Sequence, residues 1–363
     1  MSTSTTTAAE PGAAPSPPPG PAGAGDERVA RVGVLRKLLV KPELGALIGA
    51  LVILVFFAAQ SSTFRDISGV ANWLDPASTI GIMAIAVALL MIGGHFDLSA
   101  GVMTGTTALT VGICTTQLDM TVWAAIAVSL AIALSIGFLN GFLVVRTKLP
   151  SFIITLGSFL MLQGLNLGLT KAFTGTVTVG GIDDYDGYDS ARAVFASTVT
   201  IAGQQFRIAI LWWVLFTVLA SYVLLRTRFG NWVFATGGDE VASRNVGVPA
   251  ARTTITLFMT TAAAAWFVGT VYAVRTTSVQ ANIGIGQELI YIVAAVIGGC
   301  LLTGGFGSAV GASLGALIFG MTQQGITYLG WDTDWFYFFL GAMLLLAVLT
   351  NQVVRRYAES ARA

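Results

Sequence analysis

The chain is poor in charge. Only 10% of its 363 residues are Asp, Glu, Lys or Arg, against 55% hydrophobic, and the mean hydropathy is +0.79. A soluble domain carries about 25% charged residues, and a chain this oily cannot cover a water-facing surface. A large soluble core is excluded on that ground. Histidine is nearly missing, with His95 alone, and the two cysteines, Cys114 and Cys300, lie inside apolar stretches. That leaves no cysteine set at metal-ligand spacing and no reason to pair the two thiols. Both read as small buried hydrophobes. HExxH and a paired Asp cluster for metal-dependent group transfer are absent, and so is a Walker loop of the form GxxxxGK[ST], so the chain has no nucleotide site with which to hydrolyse ATP. With a net charge of +1, no bulk field draws nucleic acid.

What the chain does have is long intervals free of formal charge: 44–64, 76–96, 98–118, 120–145, 149–170, 208–225, 253–274, 289–331 and 335–354. A helix needs about 20 apolar residues to cross the hydrocarbon layer. Eight intervals fit one span each. The interval 289–331 is about twice as long and is broken at Gly304-Gly305-Phe306-Gly307-Ser308, which makes ten spans. The runs lack the alternation of transmembrane strands. The fold class is therefore all-α, a polytopic membrane protein of about ten transmembrane helices. Residues 1–25 are rich in Ser, Thr, Ala, Pro and Gly and lack the h-region of a signal peptide. The domain reading is a disordered, then basic tail over 1–40, a transmembrane permease domain over 41–356 and a tail over 357–363.

Lys and Arg set the orientation. Ten spans leave both termini on one side, and that side receives 14 of the 19 cations, among them Arg28, Arg31, Arg36, Lys37, Lys41, Arg226, Arg228 and Arg355. The termini are expected to be cytoplasmic. The longest outer connection, 173–207, carries Asp183, Asp184, Asp186 and Asp189. It reads either as a solvated acidic loop or as part of a docking face for an external partner.

The span interiors hold almost no ionisable residue; Asp97 and Glu288 sit at span ends. Ion-coupled carriers usually keep such groups inside the membrane, so an ion-coupled secondary transporter of small solutes is the alternative rather than the first reading. A membrane-embedded scaffold or enzyme is a third. One inner loop suits a docked engine. Within 226–252, the stretch from Asp239 to Val246 reads as a short helix, with acidic residues at its start, Gly247 to cap its end and Pro249 to stop it. On the spans, Ser151, Thr155, Ser158, Gln163 and Asn166 recur at helical spacing. With Phe152 they are candidates for a translocation path, or else for hydrogen bonding between helices.

Four blocks resemble the ribose/xylose-type permeases of the ATP-binding-cassette (ABC) importers, within the branched-chain amino-acid and sugar permease family. They are Gly93-Gly94-His95-Phe96-Asp97-Leu98-Ser99-Ala100-Gly101, Leu149 to Gly157, the loop from Phe229-Gly230 through Gly237-Gly238-Asp239-Glu240-Val241-Ala242-Ser243-Arg244 to Gly247-Val248, and Ile297-Gly298-Gly299 followed by Gly304-Gly305-Phe306-Gly307-Ser308. The resemblance runs over roughly 44–354. It implies a type II importer-like fold in the bacterial inner membrane that moves a small polar solute, a monosaccharide on this branch, by alternating access. It implies a second permease copy, separate ATPase subunits that use ATP and Mg²⁺, and an extracytoplasmic solute-binding protein. It also implies that Gly237, Gly238, Asp239, Glu240, Ala242, Ser243, Arg244 and Gly247 form the ATPase-coupling loop. Gly93, Gly94, Asp97, Ser99, Gly304, Gly305, Gly307 and Ser308 are expected to be structural motif residues.

Overall fold

The computed structural model of the chain describes residues 2–3 and 42–360, with side chains described from 43 to 349. Most of the expected N-terminal tail, with its four basic residues, together with Lys41 and residues 361–363, lies outside the described residues, as do the side chains of Arg355 and Arg356. Every charge-free interval becomes helix. The elements are α1 (Pro42–Gln60), α2 (Ser62–Arg65), α3 (Ile67–Ile92), α4 (Ala100–Thr116), α5 (Val122–Thr147), α6 (Ser151–Thr174), α7 (Tyr188–Phe195), α8 (Ala209–Arg226), α9 (Arg228–Gly238), α10 (Glu240–Asn245), α11 (Ala250–Thr276), α12 (Gln287–Ile297), α13 (Ala309–Tyr328) and α14 (Trp335–Ser360). Six of them, α1, α3, α5, α6, α8 and α11, are long and apolar enough to cross a membrane. The chain is an all-α polytopic membrane protein.

Helix α3 is the axis of the bundle. In its most apolar stretch 89% of the residues are buried, against 22% in α6 and α8. A helix that is apolar all round belongs inside, and α11, α12 and α13 pack around α3. The outer helices turn apolar side chains outward instead, such as Leu160 and Met161 of α6 and Val218 and Leu225 of α8. In a bilayer those faces meet lipid or another apolar surface.

Two boundaries differ from the sequence expectation. Helix α3 begins at Ile67, well before the charge-free interval, and carries Asp75 and Pro76 inside it. The charge is tolerated because Arg275, at the end of α11, meets the Asp75 carboxylate with two hydrogen bonds of 2.9 and 2.6 Å. The second difference is α12, expected as a full span. It has 11 residues, about 16 Å of helix, which is half a span. The chain ahead of it turns at Gly284 and Gly286, both at positive φ, and leans on α4: a Cβ at Gly105 would lie 2.2 Å from the Ile283 carbonyl oxygen. The backbone there is irregular, with Asn282 and Gly286 exposed and Ala281 and Glu288 buried at either end.

The two breaks, α3 to α4 and α12 to α13, have the same construction. Gly94 N–H donates to Met91 O (2.9 Å) and His95 N–H to Leu90 O (3.1 Å); Gly299 N–H donates to Val296 O (2.9 Å) and Cys300 N–H to Ala295 O (3.0 Å). Gly94 and Gly299 sit at φ +86 and +91. Both are Schellman ends, which need a residue free to adopt left-handed backbone.

The outer connection folds into a cap. Strand β1 (Thr178–Gly180) pairs antiparallel with β4 (Ser278–Gln280), and β2 (Thr198–Ile201) with β3 (Gln204–Arg207). The amphipathic α7 buries Tyr188, Ala191 and Phe195, and the Tyr188 hydroxyl donates to Val274 O (3.0 Å). The acidic residues lie on an ordered surface instead of a loose loop.

Candidate functional site

The motif blocks converge at the end of α3. The segment from Gly93 to Ser99 leaves that helix and is held from both sides. Asp97 Oδ1 accepts from Ser99 N–H (2.8 Å) and Ser99 Oγ–H (2.6 Å). Asn140 of α5 donates through Nδ2 to Ser99 Oγ (3.2 Å), and its Oδ1 accepts from Ser158 Oγ–H (2.6 Å). From α6, Ser151 Oγ accepts from Phe96 N–H (2.9 Å), and Thr155 Oγ1 accepts from Leu98 N–H (3.0 Å). Asp97 is 3% exposed. It lies in the connection outside the helices, where burial pushes its carboxyl up to about 6 against the opposing hydrogen bonds from Ser99.

Three of the residues considered for a path, Ser151, Thr155 and Ser158, are therefore engaged in this network. Asn166 is buried further along α6, and its Nδ2 has no partner among the described residues. Phe152 is 50% exposed. Asn140, which joins Ser99 to Ser158, was not singled out from the sequence. An asparagine inside a charge-free span was the available signal.

Helix α9 drives its end into the same place. A Cβ at Gly237 would lie 1.8 Å from the Ile92 carbonyl oxygen and 2.8 Å from Gly305 N. Those two atoms are themselves bonded, Gly305 N–H to Ile92 O, at 2.8 Å. A Cβ at Gly304 would lie 2.7 Å from Gly237 O and 2.8 Å from Gly94 Cα, and one at Gly305 would lie 2.9 Å from Gly238 Cα. Gly307, at φ +153, packs against the Cys300 sulfur. Ser308 caps α13, its Oγ accepting from Gly311 N–H (2.9 Å). Glycines from three distant blocks thus meet backbone to backbone, and a side chain at Gly237 or Gly304 would force them apart.

Helix α10 follows directly. The Asp239 carboxylate accepts from Ala242 N–H (2.9 Å) and caps its start. Glu240 and Arg244 form an ion pair one turn apart. Ser243 is buried, its Oγ donating to Glu240 O (2.8 Å). Gly247, at φ +85, ends the helix, with its N–H on Arg244 O (3.0 Å). Apolar surface is bare here: Val241 on the helix is 71% exposed and Val246, just past its end, 79%.

Beside α10 lies a cleft of about 500 Å³, lined by His95, Lys148, Ser151, Phe152, Glu240 and Arg244 among others. His95, in the connection after α3, has Nε2 3.1 Å from Thr254 Oγ1. Burial lowers its basicity, and the nearby Glu240 partly restores it. Among the described residues no group of three His, Cys, Asp or Glu side chains is placed to hold a metal. What the arrangement provides is mechanical: an exposed short helix whose root is locked to the ends of α3 and to the turn before α13.

The sequence profile of the branched-chain amino acid transport system / permease component family matches residues 69–348. The galactose/methyl galactoside import permease protein of Escherichia coli (strain K12) is 30% identical over 328 residues, covering 87% of this chain and 95% of that one. The ribose import permease protein of the same strain is 30% identical over 311 residues, covering 84% and 92%. The fructose import permease protein of Rhizobium meliloti is 30% identical over 285 residues, covering 78% of each. No solved structure matches the chain. A profile match over most of the helical body, together with near full-length relatives, shows that the chain belongs to the branched-chain amino acid transport system / permease component family.

Proposed function

We propose that this permease is the membrane-spanning subunit of an ATP-driven monosaccharide importer, gripped from the cytoplasm through α10. The observation that carries the reading is the bare face of α10 set on the glycine junction. A separate ATPase docks there and supplies ATP and Mg²⁺ chemistry; this chain contributes no catalytic residue. A solute-binding protein delivers sugar on the opposite face, and two permease copies enclose the path, in a bacterial inner membrane with both termini inside. The relatives named above import galactose, ribose and fructose by name, which favours sugars over amino acids. An ion-coupled carrier finds no support in these relatives.

The junction defines the mechanical step. A displacement of α10 passes through Gly237 and Gly238 to Ile92 and to Gly304-Gly305, so the ends of α3 and α13 move with it. ATP favours one arrangement only if the docked ATPase binds that arrangement better. The test exchanges the exposed charges as a pair, Glu240→Arg with Arg244→Glu, which keeps an ion pair within α10 but reverses what it presents. Copurification of the ATPase with the permease should be lost while membrane insertion is unchanged. Copurification equal to wild type would remove α10 from the coupling role.

A further inference from the structure

A polar cavity lies far from α10. It measures about 670 Å³ and is walled by α3, α11, α12, α13 and the start of α14. Asp75 on its wall is 17 residues before Ile92 on α3, so the cavity lies about 25 Å along that helix from the glycine junction. From Gly81 to Ile92 every residue of α3 is buried and apolar, which separates the two.

Its lining is rich in side-chain amides. Gln287, Gln323 and Gln324 line it, and their side-chain amides have no hydrogen-bond partner among the described residues. Each amide offers both donors and an acceptor. Asp75 and Arg275 also line it and satisfy one another in a two-bond pair, which leaves Asp334 as the one charge on the wall without an ionic partner among the described residues. Tyr272, Phe319, Phe336 and Tyr337 add aromatic surface. Gln287 opens the half-length α12, and interrupted helices bring such positions to mid-membrane depth in transporters. The volume falls within the roughly 300–1,000 Å³ of small-molecule sites.

We infer that this cavity is a binding site within the permease for a neutral polyhydroxylated solute, a monosaccharide, held through the amides of Gln287, Gln323 and Gln324 and stacked on the aromatic wall. Unpaired amides suit hydroxyl groups that both donate and accept. Asp75 and Arg275 are taken up by one another and the Asp334 carboxylate repels anions, so recognition falls to the amides and the aromatic wall. The inference rests on the importer reading and adds to it where the sugar is held between its delivery and its release.

The test uses the assembled transporter, permease with ATPase and binding protein, in proteoliposomes. Radiolabelled galactose, ribose and fructose are offered to the wild type, and the sugar taken up is carried forward. Gln323→Ala and Gln287→Ala should each lower its uptake about tenfold, the worth of one or two hydrogen bonds to the solute. Gln117→Ala, at an exposed helix end away from the cavity, should leave uptake unchanged. A second measurement does not depend on turnover. With Gln323→Cys, a membrane-impermeant thiol reagent should label the chain from the side opposite α10, and the transported sugar should slow labelling about threefold at roughly twice its dissociation constant. Uptake unaltered in both alanine variants, or labelling indifferent to sugar, overturns the cavity proposal while leaving the importer reading in place. A wild-type complex that moves none of the three sugars with ATP overturns the importer reading first, and the cavity assignment with it.

Discussion

Gly237 sits over the Ile92 carbonyl oxygen at a distance that no side chain tolerates: a Cβ there would be 1.8 Å away. The contact brings together residues far apart in the chain, and it places the root of α10 on the end of the central helix. Nothing larger than a glycine hydrogen fits, so the approach is a packing requirement as well as a mechanical link.

Gly237→Ala is accordingly expected to push α9 off the junction. Overpacking of this kind costs about 1–3 kcal/mol, here against backbone that cannot swing aside. The thermal midpoint of the purified chain in detergent should fall, and ATP-driven uptake should fall more than the amount of folded protein does. Gly157, in α6, has nothing within 4 Å of where a Cβ would be. Gly157→Ala should hold stability or raise it slightly, since alanine favours helix by about 1 kcal/mol.

Among the described residues Asp75 and Arg275 are each other's only ionic partner, with side chains 20% and 30% exposed. Asp75→Asn leaves the guanidinium half-buried without a counter-charge. A loss of about 2 kcal/mol is expected for either single variant. The double variant Asp75→Asn with Arg275→Gln should lose less than the sum of the two, which a double-variant cycle of unfolding midpoints will read.

Asp97 makes stability depend on pH. Its carboxyl is raised from 3.8 to about 6 by burial, so the folded chain holds that proton more tightly than the unfolded chain. The contribution is complete below about pH 4 and is lost as pH rises through 6, amounting to about 3 kcal/mol. Asp97→Asn keeps an oxygen for the Ser99 donors and removes the titration. Between pH 4 and pH 6.5 the wild type should lose stability relative to that variant, and a difference that stays flat across the range would contradict the assignment.

Cys300 lies in the connection after α12 with its thiol pushed up to about 12 by burial, and Cys114 is buried and free. A thiolate is the reacting species. Maleimide at pH 7 should therefore label neither cysteine in the folded chain and both after denaturation, as mass spectrometry can count.

Much of this architecture was legible in the sequence, and the exceptions share one cause. Charge-free intervals locate the helices, as with 149–170 and Ser151–Thr174. Local chemistry also locates α10, because Asp239 and Gly247 are signals read within one turn of where they act. The start of α3 was missed because the partner that lets it carry Asp75 is 200 residues away. The shortness of α12 was missed because Glu288, Gly284 and Gly286 matter through α4, which is distant in sequence: a Cβ at Gly101 would meet the Glu288 carboxylate at 2.2 Å. The four motif blocks were visible one by one, but their meeting at Gly94, Gly237 and Gly304 was not, and neither was Asn140 as the link between Ser99 and Ser158. Local pattern reports spans and caps; it does not report which distant backbones touch.

The most direct test of the central claim is uptake by proteoliposomes that hold the permease alone or with its ATPase and binding protein. Sugar should accumulate against its gradient only in the complete assembly and only with ATP inside the compartment that faces α10. Uphill accumulation by the permease alone, or accumulation that follows an ion gradient without ATP, would contradict the account.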